Sequence, residues 1–217
     1  MTCASCVRRI ETALRAVDGD PLPDAEMVPR DERLATVIGF LERGDQRALG
    51  FLGKGFVDYA VGLMSGKQRD PLAAAVGLAV LLRLGDLGRV EGWSQNLWRW
   101  FPALPDGAAL HAAVMLRSPQ DDPAWVAELR SAALDAARAG APLLTDSLRH
   151  LRRSLLVLRD LDGGDAPVAA ALAWCGRLVR ASDDDAVFTT VTIDPGALPT
   201  LWGAPSADPR SAGGGQR

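Results

Sequence analysis

Residues 70–84 read DPLAAAVGLAVLLRL, and they give the clearest indication of the protein's architecture. Asp70 is a good helix N-cap residue, and Pro71 suits the first helical position because its ring presets the backbone and its missing N–H is not needed there. Arg83 is the only charged residue between Pro71 and Leu84. A helix that is apolar on nearly all sides must be covered on all sides. We therefore expect a buried helix at the centre of the core.

Helical patterns continue on both sides of this central segment. Apolar residues recur at helical spacing, and Gly, Pro and Asp punctuate the segments. The predicted helices cover about 4–17, 31–44, 45–52, 54–65, 71–84, 89–101, 107–116, 122–139, 142–159 and 166–181. No fixed repeat period connects them. The pattern predicts a mainly α fold, either an irregular multi-helix bundle or a short α-solenoid.

One segment near the C-terminus has the character of a β-strand. Val187–Ile193 is rich in β-branched residues and includes Phe188. A lone strand leaves its backbone groups unpaired, so it needs a partner in this chain or in another. We expect Val191 to belong to an interaction surface and the strand to offer a route to a homodimer. The predicted units are 1–20, a linker at 21–30, a helical domain at 31–182, the strand and extension at 183–205, and a disordered tail at 206–217.

Composition and charge restrict the class of protein. Hydrophobic residues make up 48% of the 217 residues, which is enough to build a core. The 24 basic and 27 acidic residues give a net charge of −3, which makes nucleic acid an unlikely partner. The longest uncharged apolar run, residues 71–82, is shorter than the roughly 20 residues that cross a membrane. With no signal-peptide pattern, the sequence predicts a cytoplasmic protein without membrane contact. Lysine is rare, which favours a GC-rich bacterial genome.

The most specific short motif lies at the start of the chain. Cys3 and Cys6 form a C-x-x-C pair at the head of the first predicted helix. A helix N-terminus favours thiolates, and two soft thiolates select Cu(I), or Zn(II) with added ligands.

The residues from Met1 to Gly19 resemble the metal-binding loop and first helix of the heavy-metal-associated domain of copper chaperones and copper-transporting ATPases. The resemblance rests on Met1-Thr2-Cys3-Ala4-Ser5-Cys6-Val7-Arg8-Arg9-Ile10-Glu11, followed by Ala13-Leu14, Val17 and Gly19. It implies that Cys3 and Cys6 bind Cu(I) and that Met1 packs beneath the loop. It covers about a tenth of the chain, and residues 20–24 replace the strand that follows this helix in that family.

Two further groups of residues are candidates for an interaction surface. The first is Trp98 with Arg99, where we expect Trp98 to be the exposed tryptophan of its helix and Trp93, Leu97 and Trp100 to face the core. The second is the basic run that contains Arg149, Arg152 and Arg153. The alternatives are core packing for the tryptophans and a solvated helix face, paired with acids of neighbouring elements, for the arginines.

Residues 70–116 also resemble, in texture, the helical accessory regions of larger bacterial multidomain proteins. That resemblance implies an interaction role and transfers no catalytic residue. No catalytic motif occurs in the chain, so we do not expect an enzyme. The first hypothesis is a non-enzymatic helical interaction or regulatory module with an unknown protein partner. The second is soft-metal binding through Cys3 and Cys6.

Overall fold

The structure is a computed structural model that describes residues 32–43, 46–90, 92–162 and 165–191. These residues form eight α-helices. In chain order they are α1 (Glu32–Arg43), α2 (Gln46–Ser65), α3 (Pro71–Leu84), α4 (Trp93–Trp100), α5 (Pro105–Met115), α6 (Pro123–Ala139), α7 (Thr145–Asp162) and α8 (Ala166–Ala181). The mainly α prediction is confirmed. The predicted helix at 4–17 lies outside the described residues.

Helix α3 is the buried central helix that its sequence predicts. The carboxylate of Asp70 accepts a hydrogen bond of 2.9 Å from the backbone N–H of Ala73, and Pro71 occupies the first turn. All ten residues from Ala73 to Leu82 are buried. Gly85 ends the helix in the left-handed conformation (φ 73°), which glycine adopts without steric cost. Local capping and global burial therefore agree in this element.

Helix α2 packs against α3 at very close range. A Cβ built on Gly77 would lie 2.7 Å from the carbonyl oxygen of Ala60 and 3.0 Å from the Cβ of Leu63. Helix α2 is also longer than predicted, because two expected segments, 45–52 and 54–65, form one helix. Each internal glycine costs a helix about 1 kcal/mol, which packing against a neighbour can offset.

Helix α5 joins two halves of the core. Its residues from Pro105 to Ala113 are all buried, on every side of the helix. Leu110 and Ala113 belong to the apolar cluster around α3, whereas Ala108, Ala109 and Ala112 belong to the cluster formed with α6, α7 and α8. The many alanines let the neighbouring helices approach closely. The helix begins at Pro105, two residues before the predicted start at 107.

The carboxylate of Asp106, in the first turn of α5, is completely buried. It accepts hydrogen bonds of 2.9 Å from the backbone N–H groups of both Leu143 and Leu144, just before α7 begins. Burial raises the pKa of Asp106, and the two backbone hydrogen bonds oppose that rise. Asp106 therefore holds the start of α7 against α5.

The segment that follows α8 folds back over the same place. The N–H of Thr145 donates to the carbonyl of Val187 (2.9 Å), and the N–H of Thr189 donates to the carbonyl of Leu143 (2.8 Å). Over the part of 187–193 that the structure describes, the predicted strand consists of two isolated antiparallel bridges, Leu144 with Phe188 and Ser182 with Val191. Its described pairings are thus made within the chain. The homodimer through this segment stays a prediction.

No helix among the described residues is long and apolar enough to span a bilayer.

Gly77→Ala should destabilise the fold, because the added methyl group meets the backbone of α2 rather than a movable side chain. We expect a loss of about 1–3 kcal/mol in the free energy of unfolding, measured by urea titration. The matched control is Gly62→Ala in α2, where an added Cβ meets nothing within 4 Å. This control should gain about 0.5–1 kcal/mol from helix propensity. Equal stability of the two variants would contradict the close packing of α2 on α3.

Candidate functional site

A chain of hydrogen bonds crosses the interior between α4, α5 and α6. The hydroxyl of Ser94 lies 3.0 Å from Nδ1 of His111, and Nε2 of the same imidazole lies 3.2 Å from Oε1 of Glu128. Ser94 and His111 are only 2% and 6% exposed. We call these three residues the histidine network.

Polar and aromatic side chains enclose the network. The amide of Gln95 donates a hydrogen bond to Oε1 of Glu128, and the guanidinium of Arg99 lies 4.0 Å from the same oxygen. The indole of Trp98 stacks on the imidazole of His111, with ring centroids 5.2 Å apart, and its Nε1 donates to Asp135 at 3.1 Å. Glu128 thus receives further polar contacts at one end of the network, and an aromatic ring covers the imidazole.

Burial and pairing shift two of these groups in opposite senses. Burial lowers the pKa of His111, and the hydrogen bond and negative charge of Glu128 only partly restore it. For Glu128, burial acts to raise the pKa, but hydrogen bonds from Gln95 and His111 outweigh it and leave the pKa lowered. The expected neutral-pH state is a neutral imidazole beside a carboxylate.

A serine, a histidine and a carboxylate in hydrogen-bond contact are also the parts of a nucleophilic site. Here, however, the hydroxyl that would act as the nucleophile belongs to Ser94, which is only 2% exposed. The arrangement fits a second role, which is to hold three helices in register through satisfied polar contacts. No sequence pattern predicted this network, because Ser94, His111 and Glu128 follow one another at intervals of 17 residues and match no motif.

The basic run at 149–153 forms part of the outer face of α7. Arg149 is paired: it lies 3.4 Å from carboxylate oxygens of both Asp146 and Asp184. Arg152 and Arg153 are exposed and make no ion pair or hydrogen bond with any described residue. Arg149 is thus neutralised by acids of neighbouring elements, as the alternative interpretation expects. Arg152 and Arg153 have no acidic partner in the described part of the chain.

A shallow depression of about 450 Å³ lies beside these arginines. We call it the α7 groove. It runs between α7 and the segment that connects α5 to α6. Its lining residues are Leu116, Pro119, Gln120, Asp121, Trp125, Val126, Arg153, Val157 and Leu161. Leu161 is 55% exposed, which is high for a leucine.

The structure corrects the predicted exposure of the tryptophans in α4. Trp98 is only 8% exposed, because its ring stacks on His111 and its N–H reaches Asp135. Trp100, which was expected in the core, is 50% exposed and lies with its ring 5.4 Å from Nζ of Lys67. Arg99 is exposed and covers the ring of Trp98 at 5.6 Å.

The remaining predicted site residues are not brought together. Val191 is half-buried at its bridge with Ser182. Cys3 and Cys6 lie outside the described residues. Cys175 in α8 is buried, and burial raises the pKa of its thiol to about 12, so it is not a reactive thiolate. The described part of the chain contains no group of three or more His, Cys, Asp or Glu that could hold a metal ion.

Comparison with known families assigns the chain through the residues that form its helices. A family model described as the Y4kD C-terminal domain matches residues 36–200, which is more than half of the chain. The chain belongs to the Y4kD C-terminal domain family. No curated protein matches the sequence, and no solved structure matches the fold.

Membership of the Y4kD C-terminal domain family corrects the resemblances drawn from sequence. The assignment to the heavy-metal-associated family is wrong, because the match runs over residues 36–200 and is to a different family. The Y4kD match also includes residues 70–116, so it replaces the accessory-region resemblance there. The prediction rested on a short C-x-x-C motif followed by an amphipathic helix, and about nineteen residues are too few to define a domain. The Cu(I) and Zn(II) expectations attached to that motif have no support in the described residues of this Y4kD C-terminal domain.

The buried histidine predicts how the stability of this Y4kD C-terminal domain depends on pH. An unfolded imidazole titrates near pH 6.5, whereas His111 titrates lower in the folded state. Between these two pKa values the unfolded state binds more protons, so the contribution of His111 to stability should fall as the pH drops from about 7 to 5, whereas the raised pKa of Asp106 acts in the opposite sense. Burial lowers the pKa of His150 as well, and it contributes in the same sense as His111. Urea titrations across this range measure the effect.

The two imidazoles can be followed separately by NMR, because the chain has 2 histidines. We expect Glu128→Gln to lower the pKa of His111 further, since it removes the negative partner, and to leave His150 unchanged. A His111 pKa at or above the usual 6.5 would contradict the claim that burial outweighs the pairing with Glu128.

Proposed function

We propose that this chain is a non-enzymatic interaction or regulatory module that binds a protein partner at the α7 groove. The observation that carries the proposal is that one groove is lined both by an exposed apolar side chain and by a cation without an acidic partner among the described residues. Leu161 is 55% exposed, and Arg153, which lines the same groove, has no acidic partner among the described residues. An arginine beside apolar side chains in one depression is a combination that binding surfaces use.

Arg153 is one of several arginines of the described helices that have no acidic partner among the described residues, whereas other arginines there are paired. Arg83 donates to Asp146 at 2.6 Å, and Arg138 donates to Asp135 at 2.7 Å. Arg130 also pairs with an acid, Asp165. Arginine and tryptophan are enriched where binding energy concentrates, and Trp125 and Arg153 both line the groove.

A non-enzymatic role is the interpretation that the histidine network supports. Ser94 and His111 lie in the interior, and the contacts of the network are made to helices that pack against one another. Its contribution is to hold α4, α5 and α6 in place. Helix α6 supplies one wall of the α7 groove, so the network supports the proposed binding face from behind.

A displayed peptide library tests the proposal. We expect selection against the full chain to yield peptides that Leu161→Ser and Arg153→Glu each weaken by about tenfold or more, because both side chains line the groove. Both variants should keep the free energy of unfolding within about 0.5 kcal/mol of wild type, since both side chains are exposed. Fluorescence anisotropy measures binding, and thermal unfolding checks the fold.

The controls are matched in chemistry and differ in place. Leu143→Ser changes another exposed leucine, 37% exposed, and Arg69→Glu changes another exposed arginine, and neither residue lines the groove. Both controls should bind the selected peptides as wild type does. Selected peptides that the groove variants and the controls affect equally would contradict the α7 groove as the binding face.

A further inference from the structure

His150 lies in a group of charged side chains that come from three parts of the fold. Asp146, His150 and Arg153 follow one another at intervals of four and three residues, so they share one face of α7. Arg83, in the last turn of α3, donates a hydrogen bond of 2.6 Å to the carboxylate of Asp146. Arg117, which follows α5, donates at 2.8 Å to the backbone carbonyl of the residue before Arg83. Both guanidinium groups are thus held at the end of α3, beside this face of α7. We call these five residues the His150 cluster.

The His150 cluster carries more positive than negative charge. Three arginines and one carboxylate of the described residues act electrostatically on the imidazole, namely Arg83, Arg117, Arg153 and Asp146. The carboxylate is shared, because Arg149 lies 3.4 Å from its second oxygen. Arg117 and Arg153 form no ion pair with any described residue. An anion near these two side chains would therefore reduce the repulsion among the cations.

The imidazole of His150 has room for a further hydrogen bond. It is half-buried and makes no hydrogen bond with a described residue, since the hydroxyl of Ser154 bonds to the backbone carbonyl of His150 and not to its ring. Burial lowers the pKa of His150, the charge of Asp146 acts to raise it, and the three arginines lower it further. A bound anion would favour the protonated ring, so the pKa of His150 reports directly on occupation of the cluster.

The two arginines at the end of α3 are fixed before any ligand arrives. Nη1 of Arg83 donates to the carbonyl of Leu41 at 2.8 Å, while its Nε binds Asp146. Arg117 is held by its contact with the end of α3. Each guanidinium has five N–H donors, so these contacts leave donors for a further acceptor. Side chains that are held in place lose little conformational entropy on binding.

The donors of the cluster suit a phosphate group better than a carboxylate. A phosphate monoester carries a charge of about −1.5 to −2 near neutral pH and has three strong acceptor oxygens. It can accept hydrogen bonds from two guanidinium groups and one imidazole together, whereas a carboxylate has only two oxygens. A nucleic acid fits less well, because the chain has a net charge of −3 and Asp121 lines the α7 groove together with Arg153.

We propose that His150, Arg117 and Arg153 bind the phosphate group of a small molecule. The ion pair between Arg83 and Asp146 holds the end of α3 against α7, and so sets the position of Arg117 relative to the other two groups. The inference goes beyond the proposed function, because the ligand is a small anion and not a protein partner. Inorganic phosphate and a phosphate monoester share the chemistry that the cluster recognises.

The test follows the two imidazoles of the full chain by NMR, in sodium chloride and in sodium phosphate of the same ionic strength. About 10 mM phosphate should raise the pKa of His150 by about 0.5 or more, because a bound anion favours the imidazolium. His111 is the internal control, and its pKa should not change. O-phosphoserine in place of phosphate distinguishes a monoester from the free ion.

Two exposed arginines provide the variants. Arg117→Gln and Arg153→Gln should each weaken phosphate binding by about tenfold, since each removes a charge-assisted hydrogen bond. Thermal unfolding checks Arg117→Gln, whose side chain also bonds to α3, whereas Arg153→Gln removes no such contact. Arg69→Gln changes another exposed arginine and should bind as wild type does. Leu161→Ser, which tests the α7 groove, should also leave phosphate binding unchanged, so the two proposals fail independently.

The outcomes separate specific binding from general attraction. An unchanged pKa of His150 with both phosphate and O-phosphoserine would overturn the proposal. So would a rise that Arg69→Gln reduces as much as Arg153→Gln does, because that pattern reports the net field of the surface and not a site. A rise that only the Arg117 and Arg153 variants reduce supports the site. A larger effect of O-phosphoserine then assigns it to monoesters, and an equal or larger effect of phosphate assigns it to the free ion.

Discussion

The buried carboxylate of Asp106 is the interaction on which the arrangement of the described helices most depends. It accepts the backbone N–H groups of Leu143 and Leu144, and its own side chain is fully buried. A buried carboxylate is costly unless each oxygen is paired, and each oxygen here has its own donor. One residue therefore fixes the point at which α7 begins relative to α5. Because α5 contributes to both apolar clusters, that point is fixed relative to the whole described body.

The proposed binding face follows from this anchor. Once α7 begins at Thr145, its helical period sets Arg153, Val157 and Leu161 on one outer line, opposite the start of α6. Leu148, Leu151, Leu155 and Leu158 then face inward and are fully buried. The histidine network fixes α6 from the other side through Glu128 and His111. Two buried polar contacts thus hold the two helices that form the groove, while the groove itself keeps exposed side chains that the core does not need.

The sequence predicted correctly the features that neighbouring residues determine. Its predictions were wrong for features that depend on residues distant in sequence. The helix at 71–84 was predictable because its cap, its proline and its apolar content all lie within fifteen residues. The break expected within α2 was wrong, because packing on α3 outweighs the helix-weakening glycines. The predicted exposures of Trp98 and Trp100 were the reverse of the observed ones, since only the positions of His111 and Asp135 decide which indole is covered. Ser94 and Glu128 were not predicted as site residues, because their contacts with His111 join residues that are distant in sequence. The arginine run of α7 was predicted because its members are neighbours in sequence.

Hydrogen exchange of the Leu143 and Leu144 amides, compared between wild type and Asp106→Asn, tests whether the Asp106 carboxylate positions α7. The substitution keeps the size of the side chain but replaces one acceptor oxygen by an NH₂ group, so one buried N–H loses its partner. We expect the two amides to be protected in wild type, and the variant to lose protection there along with about 2–4 kcal/mol of unfolding free energy. Unchanged protection and stability in Asp106→Asn would contradict the claim that this carboxylate positions α7.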